Sequence, residues 1–302
     1  MSKTESSATP GPSQSVQPRR QISGFKRFRK VFFGRPVVLV GITIIFILAI
    51  MAIFSAWIAP YDPYEQNLGR ILEGPSRDHL VGTDTLGRDV LSRIIYGSRT
   101  SIIIGFMAVS IAALIGMSLG LVAGYMGGII GMIIMRLIDA MMNFPMILLA
   151  LLMAALLGGG MTNIIVALGI SSIPPYARLM FGQAVSIREN DYVLAARSLR
   201  ASNIRIMLRH VAPNAFPPLI VMMTMQIGGT ILAEAGLSFL GVGIKPPGAA
   251  WGAMVSEGYR YLLTNPELSI APGFCIMLVV FGYNMVGDGL RDALDPRLRG
   301  TL

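Results

Sequence analysis

The sequence predicts an all-α integral membrane protein with six transmembrane helices, and three observations carry that expectation. Of 302 residues, 53% are hydrophobic and only 14% charged, well short of the roughly 25% charged residues typical of a soluble domain. Long stretches carry no charge at all, and a hydrocarbon core about 30 Å thick is crossed by about 20 helical residues. Basic residues, finally, crowd into one alternate set of connections, the asymmetry that orients membrane helices.

Taken in order, residues 37–59 are uncharged and long enough for one span. Residues 101–135 are too long for one and are divided by the run Gly124-Tyr125-Met126-Gly127-Gly128; residues 140–177 are divided by Gly158-Gly159-Gly160. Residues 211–233 and 268–287 supply one span each. The six spans then fall at 37–59, 100–123, 129–157, 162–184, 211–234 and 268–288. Around them the chain divides into a disordered and interfacial tail over 1–35, a first helix and outside loop over 36–99, a core over 100–290 with a connecting loop at 187–210, and a tail over 291–302. Residues 1–18 are rich in Ser, Pro and Gln, a composition that buries no core. Phe25, Phe28, Phe32 and Phe33 alternate with basic residues, as in a short helix lying at a membrane surface.

Residues 19–35 before span one, the connection between spans four and five (in which Arg178 is counted) and the C-terminal tail hold sixteen basic residues; the opposite side holds seven, diluted among eight acids. Both termini are therefore expected in the cytoplasm, with the chain multi-pass in the inner membrane. The net charge of +9 follows from that bias and points to membrane lipid as a partner. No basic patch is interleaved with stacking aromatics, so nucleic acid is not a partner this sequence calls for. None of the four lysines follows a glycine, so no phosphate-cradling loop is present; no catalytic residues, metal site or dinucleotide fold can be read either. The single Cys275 excludes an internal disulfide.

The connection 187–210 is far longer than a turn between neighbouring helices needs. Asn190 or Asp191 suits a helix N-cap, after which Tyr192, Ala195, Ala196 and Leu199 share one face. Ala201-Ser202-Asn203 reads as a stop and a new start, and Ile204, Met207 and Leu208 open a second short helix. The small Ala195 and Ala196 would let a partner approach closely. On physics alone, a helix lying on the membrane is an equally good reading.

The stretch 191–202, with Asp191, Tyr192, Leu194, Ala195, Ala196, Arg197, Leu199, Arg200, Ala201 and Ser202, followed by His210, Pro213 and Asn214, resembles the "EAA" loop of binding-protein-dependent ABC importer permeases. The segments 79–93, 237–241 with Pro246, Pro247, Trp251 and Gly252, and 287–296 are similar to the dipeptide/oligopeptide-type permeases, specifically the second, "C"-type subunit. The resemblance implies a type I ABC importer permease fold and a chain that forms half of a translocation path for di- or oligopeptides or related small solutes. It further implies a homologous second permease, two ATP-binding subunits that carry ATP-Mg in place of this chain, and a periplasmic or lipid-anchored solute-binding protein. Residues 190–214 would couple to the ATPases. Two positions depart from the pattern: Leu194 stands where Glu is usual and Arg200 where Gly is usual, removing a charge and a flexible point. An ion-coupled secondary transporter or channel is the alternative reading.

Within the spans, Arg136 and Asp139 lie three apart, either a translocation-path element or a self-satisfied ion pair; the pair is the simpler reading. Pro145, Pro174 and Pro175 are candidate hinges or static kinks. The glycine spacings 116–120 and 120–124 favour close helix contact. Glu234 is expected to be solvated at the outer interface, and His210 to cap or contact rather than bind metal. Trp251, Phe239 and Leu240 are expected to form an outer apolar patch or an aromatic belt.

Overall fold

A computed structural model describes residues 24–294; the expected disordered segment 1–18 and the end of the tail at 295–302 lie outside it. The described chain is helical: α1 (Gly24–Phe33), α2 (Pro36–Ile53), α3 (Ser55–Ile58), α4 (Val90–Met126), α5 (Gly128–Met142), α6 (Met146–Leu157), α7 (Met161–Ser171), α8 (Ile173–Arg188), α9 (Asp191–Ser198), α10 (Asn203–Ile206), α11 (Ala212–Phe239), α12 (Trp251–Tyr259) and α13 (Glu267–Leu294). Five helical segments are long and apolar enough to cross a membrane, and the bent pair α5–α6 makes up to six.

Helix α4 is the axis of the fold and packs on α8, α7, α11 and α2. It runs 37 residues without a proline, starting ten residues before the expected span. Asp89 caps its N-terminus by accepting from the Ser92 amide at 2.7 Å. Gly127, at φ +62, ends it, a backbone geometry that glycine adopts without steric cost. Gly116, Gly120 and Gly124 form one stripe down α4 and admit the backbone of α8. A methyl group at Gly116 would come within 2.7 Å of the Ile173 carbonyl oxygen, and one at Gly120 would overlap that of Ala177. The glycine spacing thus marks a real helix contact.

The third span is not straight. Helices α5 and α6 meet at 88° across Asn143, Phe144 and Pro145. Proline lacks an amide donor and pushes the residue before it out of the helical region, so the corner falls where Pro145 takes the N-cap of α6. Pro174 and Pro175 sit in the first turn of α8, after a break at Ser172, where a missing amide leaves no helical bond unmade. Arg178, counted above among the connecting residues, lies inside α8 and pairs with Asp139 of α5. The expected Arg136–Asp139 pair is therefore replaced by one between helices: α5 and α8 pack together and bring the shorter route to Asp139 from α8. Arg136 remains exposed.

Between α3 and α4 the loop folds around charge. Arg88 and Arg93 are 2% and 1% exposed. The Asp84 carboxylate accepts from Arg88 Nε at 2.7 Å and lies 3.3 Å from Arg93 Nε, while Glu257 of α12 lies 3.6 and 3.7 Å from the two guanidinium groups. His79 Nδ1 sits 2.9 Å from Asp89 Oδ1. Trp251 departs from the belt expectation. It is fully buried and its indole N–H donates to the Ile94 carbonyl at 2.9 Å, because Gly97 leaves room for the ring. Phe239 and Leu240 do stay exposed. Glu234 likewise departs from the solvated expectation: it is 1% exposed, and Ser238 donates to it at 2.8 Å.

Two outcomes follow for stability in detergent. Gly120→Val drives two branched carbons into the α8 backbone, which costs about 1–3 kcal/mol or more and lowers the thermal unfolding midpoint. Asp84→Ala leaves two buried guanidinium groups facing each other, a change that costs about 3–5 kcal/mol. In the same assay it lowers the midpoint further than Glu257→Ala, whose carboxylate is 35% exposed.

Candidate functional site

Helix α8 ends at Arg188 and the chain turns through Glu189 and Asn190 into α9. Asn190 holds the N-cap position, without a side-chain cap bond. Val193 faces inward and is buried with Ile206 of α10 in the main core, which fastens the segment to the bundle. That leaves the opposite side of α9 outward. Tyr192, Ala195, Ala196 and Leu199 share that side as their spacing predicts, and line an open groove of about 730 Å³ together with Arg200, Ala201, Ser202, Arg205 and His210. The two alanines form its low floor. Leu194 is exposed on α9 without lining the groove and supplies no charge. The Tyr192 and His210 rings lie 6.5 Å apart. Among the described residues no three His, Cys, Asp or Glu side chains converge as a metal site would require.

The turn between α9 and α10 explains Arg200. The Ala201 amide donates to the Ala196 carbonyl at 3.2 Å and the Arg200 amide to the Arg197 carbonyl at 2.9 Å. This is the Schellman arrangement, whose hinge residue is left-handed and usually glycine. Arg200 takes that conformation, at φ +57. The substitution for glycine therefore keeps the turn instead of abolishing it, at the cost of a strained backbone. Ser202 then caps α10 by accepting from the Arg205 amide at 3.4 Å. From α10 the helix continues through a wide, π-type turn over Met207–Val211 into α11. Pro213 enters at the first turn of α11, and Asn214 donates back to the His210 carbonyl at 2.7 Å.

Three contacts that the sequence does not announce tie this segment to the axis. The Tyr125 hydroxyl, at the C-terminal end of α4, donates to Asn203 Oδ1 at 3.2 Å. The Arg197 guanidinium sits 5.6 Å over the Tyr125 ring, within cation–π range. Arg188 Nη1 donates to the Gly124 carbonyl at 2.9 Å. A lone tyrosine ending an apolar run beside glycines was the available signal, but nothing local says what it bonds.

The four candidate path residues are dispersed. Asp139 pairs with Arg178 on a face where both are about half-exposed, at 42% and 51%, and Arg136 projects from the same helix. Pro145 is at the α5–α6 corner and Pro174 inside the α8 start. None of them lines the large cavity between α8, α11 and α13, which has a volume of about 1010 Å³.

Replacing Arg200 by glycine relieves the left-handed strain, worth about 1–2 kcal/mol per non-glycine residue and partly offset by glycine's extra freedom when unfolded. Arg200→Gly is therefore expected to raise the unfolding midpoint slightly, and Arg200→Val to lower it, in a thermal melt of the purified chain.

Comparison with known proteins places this arrangement. Residues 116–300 match the model of the binding-protein-dependent transport system inner membrane component, and residues 23–75 that of the N-terminal transmembrane domain of oligopeptide transport permease C. The chain is 40% identical over 286 residues to the glutathione transport system permease protein GsiD of Escherichia coli O157:H7 and to that of Shigella boydii serotype 4, covering 94% of each chain. A solved structure of the MetNI methionine ABC transporter in inward-facing conformations shares the fold, with a TM-score of 0.56 and 18% identity over 67% of this chain and 96% of that one. The chain belongs to the family of binding-protein-dependent transport system inner membrane components, as a multi-pass, peptide-type permease subunit of an ABC importer.

Proposed function

We propose that this permease forms one half of a pore for short peptides or closely related solutes, and that residues 190–214 are the surface on which ATP-binding subunits act. The observation that carries the coupling reading is the groove on α9: small-floored, outward-facing, and rigidly tied to α4 through Tyr125. A knob from a partner seated over Ala195 and Ala196 moves α9, and the Arg188, Arg197 and Asn203 contacts pass that motion to the axis helix. Two ATP-binding subunits with bound ATP-Mg supply the work; closing on nucleotide, they rock the spans toward the outer side, and hydrolysis resets them. A homologous second permease supplies the other wall of the path. A periplasmic or lipid-anchored solute-binding protein delivers its cargo on the far side, where the folded loop 60–89 and α12 present a firm surface. Both termini and the α9 groove lie in the cytoplasm in this reading. GsiD-type permeases are named for glutathione transport, a modified tripeptide, so glutathione and unmodified di- and tripeptides are the first solutes to test.

Co-purification from the native membrane tests the assembly. The chain is expected to bring a second permease and two ATP-binding subunits, and to hydrolyse no ATP when purified alone. Ala196→Trp fills the groove, so the ATP-binding subunits are lost from the complex by about tenfold or more while the second permease stays. Undiminished retention of the ATP-binding subunits on the Trp variant would remove α9 as the docking surface.

A further inference from the structure

The cavity between α8, α11 and α13 carries a ladder of amide side chains. Gln226 lies fourteen residues into α11, about 21 Å along it at 1.5 Å per residue. Asn284 lies ten residues before the end of α13 and Gln183 five before the end of α8, about 15 and 8 Å from those ends. Asn214 and Arg291 stand at the mouth, beside the α9–α10 segment; all five residues line the same space. Among the described residues the Gln183, Gln226 and Asn284 side chains make no hydrogen bond within the chain, whereas Asn214 spends only its amide nitrogen, on His210. A polar group left without a partner in a membrane interior costs several kcal/mol. Three of them along one wall therefore require water or a hydrogen-bonding ligand beside them. The remaining lining is apolar, with Met222, Met225 and three prolines prominent, and Arg291 is its one charged lining residue among the described residues.

Resting on the importer reading above, we infer that this cavity holds the solute in transit, and that its amides select short peptides by bonding the peptide backbone. A carboxamide offers a donor and an acceptor together, the same pair that every peptide unit presents whatever its side chain. Such a wall accepts many sequences while favouring amide-bearing solutes over purely apolar ones. The cation at the mouth receives a carboxylate on its way out to the cytoplasm. Without an acid in the lining, the wall does not favour a cationic solute. A volume of about 1010 Å³ stands at the upper end of ordinary ligand sites, roughly 300–1,000 Å³, and admits a di- or tripeptide with its water.

The full complex, with its solute-binding protein, is reconstituted in vesicles and fed ATP with labelled dialanine or glutathione. The double variant Gln226→Leu/Asn284→Leu removes two hydrogen-bonding partners, each worth about fivefold to tenfold. It is expected to cut peptide uptake per ATP hydrolysed by about tenfold or more, with all subunits still assembled; Gln226→Asn/Asn284→Gln restores most of it. Uptake equal to wild type overturns the inference, and so does loss of the second permease from the double variant, which would make this wall a subunit interface. A second measurement is independent of transport. With Cys275→Ser as background, Gln226→Cys and Asn284→Cys are expected to react with a charged, water-soluble maleimide in the assembled complex; failure of both to react overturns the inference. Absence of ATP-driven uptake by the wild-type complex would instead count against the importer reading, and the labelling result would still decide whether the wall is wet.

Discussion

The close contact of α4 with α8 is the constraint on which the rest depends. Three glycines in one stripe let two backbones approach to a distance that any side chain would forbid. In a membrane, where apolar surface gains little from leaving lipid for protein, such packing is a main source of helix association. The contact fixes the depth of α8, and α8 in turn presents Arg188 at its inner end, Arg178 to Asp139 midway, and Gln183 to the cavity. Helix α4 carries Tyr125 at one end and Arg93 at the other. A shift of this one seam would displace the α9–α10 segment, the buried charge cluster and the cavity wall together.

At the N-terminal end of α4 the design principle is electrostatic. Arg88 and Arg93 are buried against Asp84 and Glu257, two positive and two negative groups, so the cluster is neutral as a whole. Buried ion pairs contribute little net stability but punish the loss of any one member. Their use here is positional: the cluster joins the loop before α4 to α12, and Trp251 drives the same joint from the apolar side. The loop 60–89, which has little regular secondary structure, is thereby held as firmly as a helix.

Much of this was legible in the sequence, and the reasons for the exceptions are physical. Charge-free runs located the five long apolar helices, since burial in lipid acts on each residue separately, whereas the stretch expected as the third span, which carries Arg136 and Asp139, is a pair of helices bent at 88°. The outward face of α9 followed from its spacing, because a helix places residues 192, 195, 196 and 199 on one side wherever it packs. The errors concern partners. Asp139 was paired with the nearest cation along the chain, Arg136, but the fold offers Arg178 from another helix. Glu234, at the end of a span, and Trp251, in a loop between spans, read as interfacial because the sequence shows their position along the chain and not the helices packed over them. The amides Gln183, Gln226 and Asn284 passed unnoticed because counting charges is blind to neutral polar groups. Arg200 was taken as the loss of a flexible point, whereas the backbone keeps the glycine-like turn and carries the strain.

The wide turn at 207–211 makes one object of two. Because α10 runs through it into α11 without interruption, residues 203–239 form a single rod about 55 Å long at 1.5 Å per residue. Its N-terminal tip belongs to the groove, its middle to the amide wall, and its C-terminal tip presses Ala235 and Ser238 against Gly252. A tilt of about 5° about the midpoint of such a rod swings each tip by about 2 Å in opposite directions. Pressure on the N-terminal tip therefore arrives as a counter-movement beneath Trp251, with the amide wall as the fulcrum.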